Sequence, residues 1–265
     1  MKHSFRSIKD KHRQTKCFLV TGVSSGIGRA LTKELIQDGY KVWGTARRKN
    51  LLINLKKELE DNDSFHFSVM DISVKRDWED LVSQMQKQSY IPDVVIFNAA
   101  IFKTDLKEKP DLEITKEIFG INFFGIIEGV KCLLPVIKNN CQFLAISSLS
   151  SFRGSSIEGV GYPSSKAAIS TAFESLYLKY HGKYTFKTLF LGPVATGMSP
   201  FKKQSFLVIS EAHAVQAIIK SINNNKSLSY YPKLLFQIMK TIKLLPSDLY
   251  FKCLFLLEKQ RNKLI

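Results

Sequence analysis

Paired cysteines are missing from this chain. Its four, Cys17, Cys132, Cys141 and Cys253, are scattered with no C-x-x-C pair. That argues against a disulfide framework or a zinc site and fits isolated thiols in a reducing compartment. Also absent is any run of about twenty apolar residues, the length a membrane-spanning helix needs. The first sixteen residues are polar and basic, and the apolar run after them is too short for a secretory leader. A cytoplasmic protein is therefore expected. Acid is scarce: 23 Asp and Glu stand against 39 Lys and Arg, a net charge of +16. Such a surface either favours anionic partners or is simply well solvated. The basic residues are dispersed, and no cluster of base-stacking aromatics accompanies them, so no nucleic-acid partner is expected. No internal repeat or low-complexity linker divides the chain.

What is present is an alternation. Apolar runs at Cys17–Val20, Tyr40–Thr45, Ser64–Met70, Asp93–Phe97, Cys141–Ser147 and Tyr184–Leu191 read as strands. Between them, helical periodicity covers Leu51–Glu60, Val74–Lys87, Asp111–Leu134 and Gly161–Lys179, with a further helix over Ser210–Ile222. Alternating strands and helices predict an α/β protein, a doubly wound parallel sheet with helices on both faces. The expected organisation is a basic tail over residues 1–16, one domain over 17–232 and a helical extension over 233–265.

Thr21-Gly22-Val23-Ser24-Ser25-Gly26-Ile27-Gly28 joins the first strand to a helix beginning near Arg29. Strand, glycine turn and helix together set a dinucleotide pyrophosphate on a helix N-terminus, where unpaired N–H groups and the dipole favour anions. The second strand ends in Thr45-Ala46-Arg47-Arg48, with no carboxylate to hold a ribose 2′-hydroxyl. Two guanidinium groups suit a 2′-phosphate instead. That predicts NADP(H), held mainly by Arg47 with Ser24 assisting.

Tyr162-Pro163-Ser164-Ser165-Lys166 opens the helix after the fifth strand. Residues four apart share a helix face, with Cβ atoms about 6 Å apart. To act near neutrality a tyrosine must drop roughly 3 pKa units, about 4 kcal/mol. An adjacent ammonium in a dry site supplies help of that order. Ser147 and Ser148 close the fifth strand, where strand C-termini line the ligand crevice and a hydroxyl reaches a substrate carbonyl.

These stretches, in this order, resemble the short-chain dehydrogenase/reductase family over about residues 15–230: Thr21 to Gly28, Asp71, Asn98-Ala99-Ala100, Asn122, Ser148, Tyr162 with Lys166, and Gly192-Pro193-Val194-Ala195-Thr196. The resemblance implies a Rossmann-type fold and an enzyme that interconverts a carbonyl and an alcohol. It implies Tyr162 as general acid/base, Lys166 as the group that lowers its pKa and holds the nicotinamide ribose, Ser148 as the polariser of the carbonyl, and Asn122 as the holder of a relay water. It implies cofactor contacts from Gly22, Ser24, Ser25, Gly26, Ile27, Gly28, Arg47, Arg48, Asp71, Ile72, Asn98, Ala99, Tyr162, Lys166, Pro193, Val194 and Thr196. It also implies a homodimer or homotetramer joined through the helices holding Asn122 and Tyr162.

The chain departs from the family pattern in three places. Ala100 stands where glycine is usual, Leu191 where proline is usual, and the interval from Ser148 to Tyr162 is one residue longer than the commonest, which keeps Ser147 in contention. Gly-Thr-Ala-Arg-Arg, Asn-Phe-Phe-Gly and Gly-Pro-Val-x-Thr look most like the branch related to 17β-hydroxysteroid and retinol dehydrogenases. A second reading is an NADP(H)-binding redox sensor or membrane-surface protein without turnover.

Beyond Pro232, helical spacing puts Leu234, Leu235, Ile238, Ile242 and Leu245 on one face, with Phe236 and Leu244 towards the basic side. Residues 249–257, after Pro246, are apolar nearly all round except for Lys252. Two readings stay open: a roof over the substrate cleft, or a peripheral membrane contact with lysines at anionic headgroups. Both, with Phe102, Phe152, Phe201 and Phe206 in loops near the crevice, predict a lipophilic substrate.

Overall fold

A computed structural model describes residues 15–105, 109–154, 158–197 and 208–262. Phe201 and Phe206 lie outside them. Strands β1 (Cys17–Thr21), β2 (Lys41–Ala46), β3 (Phe65–Val69), β4 (Val94–Phe97), β5 (Gln142–Ser148), β6 (Thr185–Leu191) and β7 (Leu228–Tyr231) form one parallel sheet in the order β3-β2-β1-β4-β5-β6-β7. This is the expected Rossmann-type doubly wound sheet.

Alternation along each strand builds two cores. Phe18 and Val20 of β1, Val94 and Ile96 of β4 and Leu144 and Ile146 of β5 point to one face. There they meet α1 (Gly26–Gln37), α2 (Lys49–Glu58) and α7 (Glu211–Asn223). Leu19, Val95, Phe97, Phe143 and Ala145 point to the other face, under α3 (Lys75–Lys87), α5 (Gly125–Leu133) and α6 (Gly161–Lys179). Because both faces are covered, the strands read as unbroken apolar runs instead of alternating ones.

Three details differ from the sequence reading. The long helix expected from Asp111 is α4 (Leu112–Phe119), one π-helical turn over Gly120–Phe124, then α5. The turn carries Asn122, and such turns often mark functional sites. The strand β7 was not anticipated. It has four residues, lies at the sheet edge and is half-buried throughout, so its pattern is weak. Finally, α8 (Lys233–Leu244) turns only part of its expected face inward, with Leu235 and Ile242 half-buried. Phe236 turns inward and stacks on Tyr230 at 3.8 Å between ring centroids, while Leu234 and Ile238 join Leu244 among the exposed residues. Phe152 belongs to the same stack, 5.3 Å from Phe190 and 6.1 Å from Phe236, and not to the cleft wall.

Lys187 shows how the β6–α7 junction is closed. Its buried ammonium donates to the carbonyls of Ser221 (3.1 Å), Ile222 (3.0 Å) and Asn224 (2.5 Å), which α7 leaves unpaired at its end. Lys187→Met should cost about 2 kcal/mol, a melting-temperature drop of roughly 4–8 °C. A thermal melt indistinguishable from wild type would contradict this role.

Candidate active site

The strand C-termini open on a cleft of about 900 Å³. Every residue expected to bind or react lines it except Gly28 and Asn122. Gly28 lies beneath the β1–α1 turn, where a Cβ would sit 2.2 Å from the Gly22 carbonyl oxygen. Gly22 has φ +79°, and a Cβ there would stand 2.8 Å from the Ala99 Cα. Both positions demand glycine, and the turn is consequently flush with β4. Asn98 locks it there: its side-chain amide donates to the Thr21 and Gly22 carbonyls at 3.0 and 3.3 Å.

The N-cap of α1, Ser25, makes no side-chain cap bond, which leaves the first-turn N–H groups available to an anion. Arg48 stands over this turn, donating to Ser24 Oγ at 2.8 Å and Ser25 Oγ at 2.7 Å. Arg47, also exposed, faces Asp71 at 3.5 Å. Burial raises the Asp71 pKa, but hydrogen bonds from Ser73 and the charge of Arg47 outweigh it and hold the carboxyl below its usual range. The guanidinium beside Ser24 is therefore that of Arg48. Ser-Ser beside two arginines, with no carboxylate at the end of β2, fits a phosphorylated dinucleotide.

At the other end, α6 carries Tyr162 and Lys166 on one face. The Lys166 ammonium donates to the Ile146 carbonyl at 2.9 Å and lies 5.8 Å from the Tyr162 ring centroid. The Phe102 ring packs edge-on against Tyr162 at 5.1 Å. Ser147 and Ser148 separate clearly. The Ser147 hydroxyl is buried against the Lys166 carbonyl (3.0 Å) and Ser170 Oγ (2.8 Å), whereas Ser148 lines the cleft with Tyr162 and favours the phenol's charged form. The geometry favours Ser148.

The pKa shift expected of Tyr162 runs the other way. Removal from water pushes its phenol up to about 12, the charge of Glu158 adds to this, and only Ser148 opposes it. Burial also pulls Lys166 down to about 8. The side chain of Asn122 is fully buried and engaged. It accepts from the Ile101 N–H at 2.9 Å and donates to the Ile101 carbonyl at 3.0 Å and Ser165 Oγ at 3.2 Å.

Residues 16–205 match the family model of the short chain dehydrogenases. This chain belongs to that family.

Among relatives of this short-chain dehydrogenase, "Dehydrogenase/reductase SDR family member 7" of Mus musculus is 25% identical over 221 residues, 80% of the chain and 62% of the relative. The "3-ketodihydrosphingosine reductase" of Bacteroides thetaiotaomicron is 28% identical over 174 residues, 63% of the chain and 60% of the relative. The chain thus spans about three fifths of the length of these two relatives. In structure it is similar to a short chain dehydrogenase from Burkholderia cenocepacia solved in complex with NADP. The TM-score is 0.77 at 19% identity, covering 90% of this chain and 97% of the other.

In the sequence, Leu235, Ile242 and residues 249–257 read as a roof or a membrane contact, whereas Met239, Arg153, Glu158 and Asp105 carry no signal there. Leu235, Met239 and Ile242 of α8, with Tyr250 and Leu254 of α9 (Ser247–Asn262), roof the cleft. Arg153 anchors that roof, donating to the Lys243 and Leu245 carbonyls at 3.0 and 2.6 Å and lying 4.9 Å over the Tyr250 ring. Glu158 also lines the cleft. Asp105, 1% exposed, holds the start of α6: it accepts from the N–H groups of Val160 (2.8 Å) and Gly161 (2.6 Å) and from the Thr115 hydroxyl (2.7 Å).

Proposed function

We propose that this dehydrogenase interconverts a carbonyl and an alcohol with NADP(H), on a lipophilic substrate of the kind handled in the 17β-hydroxysteroid and retinol branch. The observation that carries the reading is the convergence of Ser148, Tyr162 and Lys166 at one end of a cleft whose other end holds Arg47 and Arg48, beneath an apolar roof. A bound nicotinamide supplies or accepts the hydride. Ser148 donates to the carbonyl oxygen and fixes its direction. Tyr162, its phenol protonated, gives its proton to that oxygen as the alcohol forms and recovers it in the reverse direction. Lys166, its ammonium anchored on the Ile146 carbonyl, holds the ribose. With its side chain clamped on Ile101, Asn122 has only its backbone carbonyl left to offer a proton relay. A sensor without turnover has no need of this convergence. Following NADPH oxidation over a panel of carbonyl compounds tests the proposal. Apolar ketones and aldehydes should be turned over, and robust turnover of small sugars alone would overturn it.

Cofactor choice gives a separable result. Arg48→Ala should raise the Kd for NADPH about 10–100-fold while leaving that for NADH nearly unchanged, because a charge-assisted bond to a phosphate contributes on this order. Arg47→Ala should do less, since its guanidinium faces Asp71. Equal Kd values of the wild type for the two cofactors would refute the preference.

Two contacts complete the reading. The outer side of α8 and α9 exposes Leu234, Ile238, Leu244, Leu249, Phe251 and Phe255 among Lys233, Lys240 and Lys252. This pairing of apolar surface and positive charge suits the interface of an anionic bilayer. No helix among the described residues is long and apolar enough to cross one. Because Phe236 faces inward, the informative variant is Leu244→Asp. It should lower co-sedimentation with phosphatidylserine vesicles several-fold at low salt, and absence of wild-type binding would remove the membrane contact. The second contact is self-association through the α4–α5 and α6 faces, where Leu112, Phe124 and Leu178 are exposed.

A further inference from the structure

Beyond the cofactor end, the cleft wall carries two charged side chains, Arg153 and Glu158. Arg153 gives a terminal nitrogen to the roof carbonyls and lies over Tyr250, while its Nε has no hydrogen-bond partner among the described residues. Glu158 stands apart. It is half-buried, and among the described residues no Lys, Arg or His forms an ion pair with it. Ser150, whose hydroxyl donates to Ser148 Oγ at 2.8 Å, is the one side chain that favours its charged form. The carboxyl is thus one serine away from the group that directs the substrate carbonyl, and it faces the same space. Burial pushes its pKa up, as expected of a carboxyl lacking a cation.

An acceptor so placed is costly to leave unanswered, because desolvating it without a partner is unfavourable. Pockets for apolar ligands typically hold a few polar groups of this kind, which fix the ligand's orientation. The roof opposite offers no donor to answer it: Leu235, Met239, Ile242 and Leu254 are apolar, and the Tyr250 hydroxyl donates to the Gly154 carbonyl at 2.8 Å.

We propose that Glu158 binds a hydrogen-bond-donating substituent, hydroxyl or ammonium, carried close to the substrate carbonyl. The substrate class is then amphiphilic: a hydroxy- or amino-carbonyl head between Ser148 and Glu158, and an apolar tail under α8 and α9. This rests on the carbonyl-reduction reading and specifies its substrate.

The test uses the purified full chain with NADPH and three matched medium-chain 2-alkanones: plain, 1-hydroxy and 1-amino. Wild type should favour a substituted ketone in kcat/KM by about 10–100-fold, the range a bond to a charged acceptor provides. Glu158→Leu should bring that ratio to about one. In Glu158→Gln, whose amide oxygen still accepts a bond, the hydroxy ketone should keep more of its advantage than the amino ketone. Titrating the corresponding alcohols into the NADP-loaded protein by calorimetry should give the same order of affinities. A wild-type ratio near one for both substituents, or an advantage that survives in Glu158→Leu, overturns the proposal. Failure to turn over any of the three ketones counts against carbonyl reduction itself, while the calorimetric comparison still decides the role of Glu158.

Discussion

Tyr162→Phe is expected to cut turnover by about 10²–10⁴-fold, the usual contribution of a positioned acid or base, while cofactor affinity stays close to that of wild type. The ring remains, and with it the edge contact to Phe102. The Lys166 ammonium keeps its bond to the Ile146 carbonyl, which does not involve the phenol. Only the hydroxyl is lost, with its proton and its interaction with Ser148. Measuring kcat and the NADPH Kd side by side checks both halves, and wild-type turnover in this variant would remove Tyr162 from the chemistry.

The direction of the Tyr162 pKa shift adds a second readout. A phenol pushed up to about 12 stays protonated through the neutral range. Reduction needs the protonated form, so its rate should be flat near neutrality and fall only in strong alkali. Oxidation needs the phenolate and should rise with pH over the same interval. Glu158 contributes to the upward shift, so Glu158→Gln should move the onset of oxidation to lower pH. An oxidation rate independent of pH would contradict this assignment.

Much of this site was legible because its determinants are local. A strand buried on both faces announces itself as an apolar run, as Val94 to Phe97 does. A glycine turn between strand and helix, or Tyr162 and Lys166 one helical turn apart, shows its geometry within a few residues. Features that depend on partners distant in sequence were invisible. Whether Arg47 or Arg48 stands beside Ser24 depends on how the chain leaves β2 across from the β1–α1 turn. The inward face of α8 was read only in part, through Leu235 and Ile242, because Phe236 answers to Tyr230 and Phe152, not to the periodicity of its own helix. The Tyr162 pKa is set by removal from water, by Glu158 and by Ser148, none of which the lysine four residues away announces. Nothing around Asp105 in the sequence indicates that it caps a helix starting more than fifty residues later.

That cap carries the other large expected effect. The residue at the N-cap position of α6 is Val160, which offers no side-chain acceptor, so the first N–H groups depend on Asp105 reaching across from the segment after β4. The chain is shaped around this carboxylate. A Cβ on Gly159 would stand 2.0 Å from Asp105 Oδ1, and one on Gly161 would stand 2.7 Å from Oδ2. A negative charge on the positive end of α6 is also favourable in itself. Asp105→Ala leaves the Val160 and Gly161 N–H groups and the Thr115 hydroxyl without this acceptor in a buried site. The expected loss is about 3 kcal/mol or more, a fall in melting temperature of roughly 6–12 °C. Because Tyr162 is the second residue of that helix, kcat should also fall by about 10-fold to 100-fold through misplacement of the phenol. Thr115→Val, which removes one of the three bonds, should cost about 1 kcal/mol and leave kcat nearly intact. If Asp105→Ala melts and turns over like wild type, the start of α6 is held by something other than this carboxylate.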